Sequence, residues 1–154
     1  KVNEVANNFS VGTNDLQLAL QTSSSTLGTL GNDLSETISL LTAGTEIIVN
    51  QPQRVGRGLR SIGLELNKMA QETDTLTDST GQVSVAFKDE EGQLKSTYEI
   101  LADLYPQWQK LNDEQKANLA NHIAGKPLCR ACIGLINGKD GMITHNCINY
   151  YMVA

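Results

Sequence analysis

Cysteine is missing from the first 128 residues of this 154-residue chain, and only three occur in all. An odd count confined to one end is no disulfide framework, so most of the chain must fold by packing alone. Aromatic volume is also scarce: one Trp, two Phe and four Tyr. The core is therefore expected to be aliphatic and thin. Positive charge is in deficit, 12 Lys and Arg against 17 Asp and Glu, for a net charge of −5. That balance argues against nucleic acid as the main partner, because duplex binding needs a basic face that displaces counterions. No apolar run approaches the ~20 residues needed to span a bilayer, and no signal-peptide pattern opens the chain. Lys1 stands where an initiator Met would, as expected of a piece of something longer.

What is present is helical periodicity. Asn14 is a plausible N-cap for a helix running to about Leu30, with Leu16, Ala19 and Leu20 on one face and Gly31 as its left-handed stop. Asp33 followed by Glu36 reads as a capping arrangement. It opens a helix whose buried candidates are Leu34, Ile38, Leu41 and Ile48, with Thr45 completing the face. Gly44 is expected to weaken its middle. Pro52 ends that helix and suits the first turn of the next, which runs to about Met69. Val55, Leu59, Ile62, Leu66 and Met69 recur there at spacings of four, three, four and three, the strongest amphipathic signal in the chain.

Gln71 to Gly81 reads as a loop. Val83, Val85 and Phe87 alternate as a strand does, Asp89-Glu90-Glu91-Gly92 turns, and Gln93 to Lys95 is expected to return as a partner strand. Ser96 or Thr97 caps another helix with Tyr98, Leu101, Leu104, Tyr105 and Trp108 inside, which Pro106 should kink or split. Asn112 or Asp113 caps a helix through Ala124, closed by Gly125, and Pro127 starts a last one to about Asn137. Val2 to Phe9 allows a turn or two of helix, and residues 138–154 read as an irregular tail. The fold expected is mainly α, an array of short helices with one small β-hairpin around residues 83–95.

Several of these stretches have specific wording. Asn3 to Phe9 comes first, then Leu41-Thr42-Ala43 with Glu46-Ile47-Ile48, Val55-Gly56 and Leu59-x-Ser61-Ile62. Asp74-Thr75-Leu76, the turn and helix start from Lys88 to Leu101, Trp108 with Leu111, Ala124-Gly125-Lys126 and Gly134 to Asn137 follow in order. In this collinear series the chain resembles bacteriophage and prophage tail tape measure proteins over roughly nine-tenths of its length. Gly138 to Ala154 departs from the long Ala- and Glu-rich helical continuation usual in that family.

The resemblance implies a non-enzymatic structural virion protein that occupies the tail tube lumen and sets tail length. The implied location is the phage tail, reached from the bacterial cytoplasm during assembly. The implied partners are the tail tube protein, the tail tip or initiator, assembly chaperones and further copies of itself. Because a helix advances ~1.5 Å per residue, a fully helical chain of this length would measure on the order of 230 Å. The expected loops and hairpin make this stretch a folded anchoring module rather than part of the ruler.

Cys129-x-x-Cys132 and His145-x-Cys147 have the residue types of a zinc site. Beside Leu128, Ile133, Leu135 and Ile136, however, the first two read better as small core hydrophobes. His145-Asn146-Cys147 is similar to the C-terminal junction of inteins, but no N-terminal splicing block accompanies it. His122 is expected to be partly buried. Ser23 to Ser25 lack a nucleophile elbow, and Asp89 to Glu91 lack the ligand spacing of a calcium loop. Arg54, Arg57 and Arg60 share one helical side. They read either as a contact face for an acidic protein surface or as a solvated face with Glu65 as partner. No cofactor is expected. The alternative functions are a helical module that recruits a protein partner and a zinc-stabilised C-terminal element.

Overall fold

The computed structural model describes residues 12–48 and 50–125 together with Ile136, which is helical and fully buried. Five helices and two short strands occur among them: α1 (Thr13–Thr29), α2 (Leu34–Ile47), α3 (Pro52–Glu72), β1 (Thr75–Thr77), β2 (Ser84–Ala86), α4 (Thr97–Trp108) and α5 (Asp113–Ala124). This is the mainly helical fold with one small hairpin that the sequence leads one to expect. The opening stretch Val2 to Phe9, the helix expected from Pro127 and the tail at 138–154 lie otherwise outside the described residues.

Helix α3 is the backbone of the arrangement. Its five periodic apolar residues are all buried, and α1, α2 and α5 pack against it. The packing is close because α3 turns glycines toward its neighbours. A Cβ built on Gly56 would lie 2.7 Å from the Ala19 carbonyl oxygen and 2.9 Å from the Thr22 Cβ of α1. Gly44 of α2 faces Val55 in the same way, with 2.5 Å from its would-be Cβ to the valine methyl. Gly44 is therefore a point of approach between α2 and α3, not only a weak spot in its helix.

The helix ends follow their capping residues. α1 starts at Gly12 rather than Asn14, with the Gly12 carbonyl accepting from the Leu16 amide at 3.1 Å and no side-chain cap. Gly31 ends it at φ +84°, a conformation that costs glycine little. Asp33 and Glu36 form the reciprocal box, as do Ser96 with Glu99 and Asn112 with Gln115. The Ser96 hydroxyl also donates to Glu36 at 3.2 Å, which joins the starts of α2 and α4. Burial is the main cause that raises the Glu36 carboxyl above its ordinary range.

Two expectations about α2 need correction. Leu34 is 58 % exposed, because it occupies the first helical position, ahead of the buried stretch. Ile48 is only partly buried. From Thr37 to Thr45 the helix is buried on every side. Its Thr and Ser hydroxyls avoid a desolvation cost by bonding back along the helix: Thr42 donates to the Ile38 carbonyl (2.7 Å) and Thr45 to that of Leu41 (2.8 Å).

The hairpin sits earlier than expected. β2 pairs antiparallel with β1, Leu76 opposite Val85, so the expected loop from Gln71 to Gly81 holds the end of α3 and a strand. The return at Gln93 to Lys95 is reduced to a single bridge, Lys88 to Leu94. Val83, Val85, Phe87 and Leu76 are all buried. At the turn, the Asp78 carboxylate accepts from the Val83 amide (2.9 Å) and from the Thr80 hydroxyl. Those bonds, the Thr80 hydroxyl foremost, hold its carboxyl below the usual range. Gln107 of α4 reaches the free side of β2. Its oxygen accepts from the Ser84 amide at 2.7 Å and its nitrogen donates to the Ser84 carbonyl at 2.9 Å, as a neighbouring strand would. Pro106 neither splits nor ends α4 on the spot. It stands in the last turn, two residues before the helix stops at Trp108.

Candidate protein-contact face

Pro52 starts α3 where its missing N–H is harmless, and the apolar period then decides which side turns inward. The residues left outside include Arg54, Arg57, Arg60, Ser61, Leu64 and Lys68, all exposed. Spacings of three and four place Arg57, Arg60 or Ser61, Leu64 and Lys68 along one stripe. The structure thus brings the three arginines together on one exposed side, as the spacing implies.

Their partners differ from the expectation. Glu65 pairs with Lys68 at 3.9 Å, both side chains being substantially exposed, and not with an arginine. Such a pair contributes at most a few tenths of a kcal/mol. Arg54 donates to the Gln51 side chain at 3.2 Å. Among the described residues, Arg57 and Arg60 engage no carboxylate and no hydrogen-bond acceptor. In the middle of the stripe Leu64 stands 46 % exposed, a feature the periodicity does not announce.

The other sequence candidates fall elsewhere. Cys129, Cys132, His145 and Cys147 lie outside the described residues. Among those described, no three His, Cys, Asp or Glu side chains are placed to share a metal ion. His122 is exposed, not partly buried, in the last turn of α5 beside the buried Ile123. It borders an open recess of about 460 Å³ between the hairpin turn and α5, together with Asp78 and Asn118. Ser23 is buried with its hydroxyl donating to the Ala19 carbonyl at 2.8 Å, which commits it to structure. Asp89 to Gly92 is a turn, with Gly92 at φ +80°.

One polar residue with a structural duty escapes sequence reasoning altogether. Asn32 is buried, donates to the Leu27 carbonyl at 2.9 Å and accepts from the Tyr98 amide at 3.0 Å. It therefore satisfies one open group at the end of α1 and another at the start of α4. The partner amide is 66 positions away, so no local pattern could announce it.

Residues 1–125 match the phage-related minor tail protein family. The chain belongs to that family. The match takes in all five named helices and both strands of this minor tail protein. No solved structure matches the chain. Membership supports a structural role in a phage tail and association there with other tail components. Among the described residues, no helix of this minor tail protein is long and apolar enough to cross a membrane.

Proposed function

We propose that this minor tail protein chain is a segment of a tail tape measure protein, resident in the tube lumen and acting in length determination without enzymatic chemistry. The reading joins family membership with the collinear motifs from Asn3 to Asn137 that resemble tape measure sequence. The observation that carries it furthest is how the described polar groups are used. Buried ones such as Asn32, Ser23, Thr42 and Ser96 are committed to helix ends and carbonyls. Arg57 and Arg60, which have no partner among the described residues, stand on the exposed face of α3.

Within that role, this stretch is an anchoring module. The longest helix among the described residues, α3, has 21 residues and spans only about 32 Å. Five helices folded onto one another do not convert residue count into length at the rate an extended helix does. The tail tube protein, the tip or initiator complex and assembly chaperones are the partners this role calls for.

Lysine-directed cross-linking of intact virions tests the location. The expected products join Lys68, Lys88 or Lys116 to the tube protein, in tails and not in heads. Absence of the chain from purified tails, or links to capsid protein alone, would contradict a lumen protein.

A further inference from the structure

The hairpin has one edge closed and one open. Leu76 pairs with Val85, flanked by Thr75 opposite Ala86 and Thr77 opposite Ser84. The Phe87 amide donates to the Asp74 carbonyl at 3.0 Å, so the ladder bonds pass through Asp74 and Leu76. The main-chain groups of Thr75 and Thr77 therefore turn away from β2. On β2 the outward-turned Ser84 has its amide and carbonyl both taken by Gln107. On β1 the Thr75 carbonyl accepts from the Thr73 hydroxyl at 3.1 Å. The Thr75 amide and both main-chain groups of Thr77 have no partner among the described residues.

Empty space adjoins that open edge. Thr75 and Thr77 line a recess of about 260 Å³, walled by Glu65, Lys68 and Glu72 at the end of α3 and by His122 of α5. Its floor is apolar: Met69, Leu76 and Phe87, all buried. Thr77 and His122 also border the recess of about 460 Å³ beside Asp78. Together the two recesses carry three carboxylates, Glu65, Glu72 and Asp78, against one ammonium, Lys68. Glu72 is exposed and has no partner among the described residues.

We propose that the outer edge of β1 is a strand-addition site whose occupant is an extended basic segment of a partner protein. Its main chain pairs with Thr75 and Thr77, as a third strand of the sheet. Every second side chain then points to the inner layer, where the recesses lie. Charge complementarity makes those side chains Lys or Arg. The aliphatic stem covers Met69 and Leu76 while the charged head meets Glu72 and Glu65. Three residues of edge offer few main-chain bonds, so the recesses supply the selectivity.

Amide exchange of the whole chain in reductant provides the test, with a short peptide of alternating lysine and threonine as probe at millimolar concentration. The Thr75 and Thr77 amides should exchange more slowly with the peptide present, while the Ser84 amide, already bonded to Gln107, is unchanged. The same peptide N-methylated at alternate residues, or with glutamate in place of lysine, should give no protection. Thr77→Pro removes an outward amide that the ladder does not use, which an edge strand tolerates. It should stay folded by circular dichroism and bind the peptide about tenfold or more weakly, the loss of at least one hydrogen bond. Glu72→Lys, at an exposed position, should weaken the lysine peptide several-fold with β1 intact. Unchanged exchange at Thr75 and Thr77, equal protection by the N-methylated or glutamate peptide, or full binding by either variant would overturn the strand-addition site. The site needs only the hairpin and its two recesses, so none of these results bears on tail-length control, which is scored in virions.

Discussion

Gly56→Ala is expected to lower stability by up to about 2 kcal/mol, even though alanine is the better helix former. Two effects compete. Removing a glycine from a helix interior gains about 1 kcal/mol. Against it stands the new methyl, 2.7 Å from the Ala19 carbonyl oxygen and 2.9 Å from the Thr22 Cβ. The first of these contacts is main chain of α1 and cannot rotate away, so the helices must separate. Overpacking in a well-fitted contact costs about 1–3 kcal/mol and occasionally more, and Gly56→Leu should sit at or beyond the upper end. Gly28 provides the opposite sign. A Cβ there meets nothing within 4 Å, so Gly28→Ala should stabilise by up to about 1 kcal/mol. Thermal melts of the three variants beside wild type check the pattern. Equal stabilisation by Gly28→Ala and Gly56→Ala would mean that α1 and α3 do not approach as described.

Trp108→Ala is expected to cost about 3–5 kcal/mol, the largest single loss available in the core. Trp108 is fully buried and heads the largest buried side chains. In a chain so poor in aromatics, no other residue is positioned to refill the volume. At about 2–4 °C per kcal/mol for a chain of this size, the midpoint should fall by roughly 6–20 °C. Trp108→Phe, which keeps a ring in place, should lose much less. Equal losses for the two would point to something other than a cavity. The neighbouring Gln107 holds Ser84 of β2 from the same helical turn. The alanine variant should therefore also loosen the hairpin, seen as faster amide exchange at Ser84 and Val85.

How much of this was legible from residues alone depends on whether the deciding contact is local. α3 was legible because a single face decides its burial, and its period states that face outright. The box at Asp33 and the stops at Gly31 and Gly125 were legible because a cap involves residues three or four apart, whereas at α5 the sequence left the cap between Asn112 and Asp113. β1 was not. Thr75-Leu76-Thr77 has one apolar residue amid polar ones, and it becomes a strand only because Val85 is opposite. Close approach through Gly44 and Gly56 was hidden because glycine contributes nothing to an apolar period. At the contact face, the arginine stripe could be read from spacing. Its lack of carboxylate partners and the exposure of Leu64 depend on how distant elements fold, and only the structure gives them.

Tail length is the most direct measure of the central claim, that this segment acts through its folded form in a length-determining protein. In a phage that carries the chain, residues 12–125 would be removed in frame and tails measured by electron microscopy. The expected result is failed tail assembly or tails without a defined length, as befits a lost anchor. Uniform tails shortened by about 170 Å, which is 114 residues at ~1.5 Å each, would make the segment part of an extended ruler. Uniform tails of unchanged length would contradict any part for it in setting length.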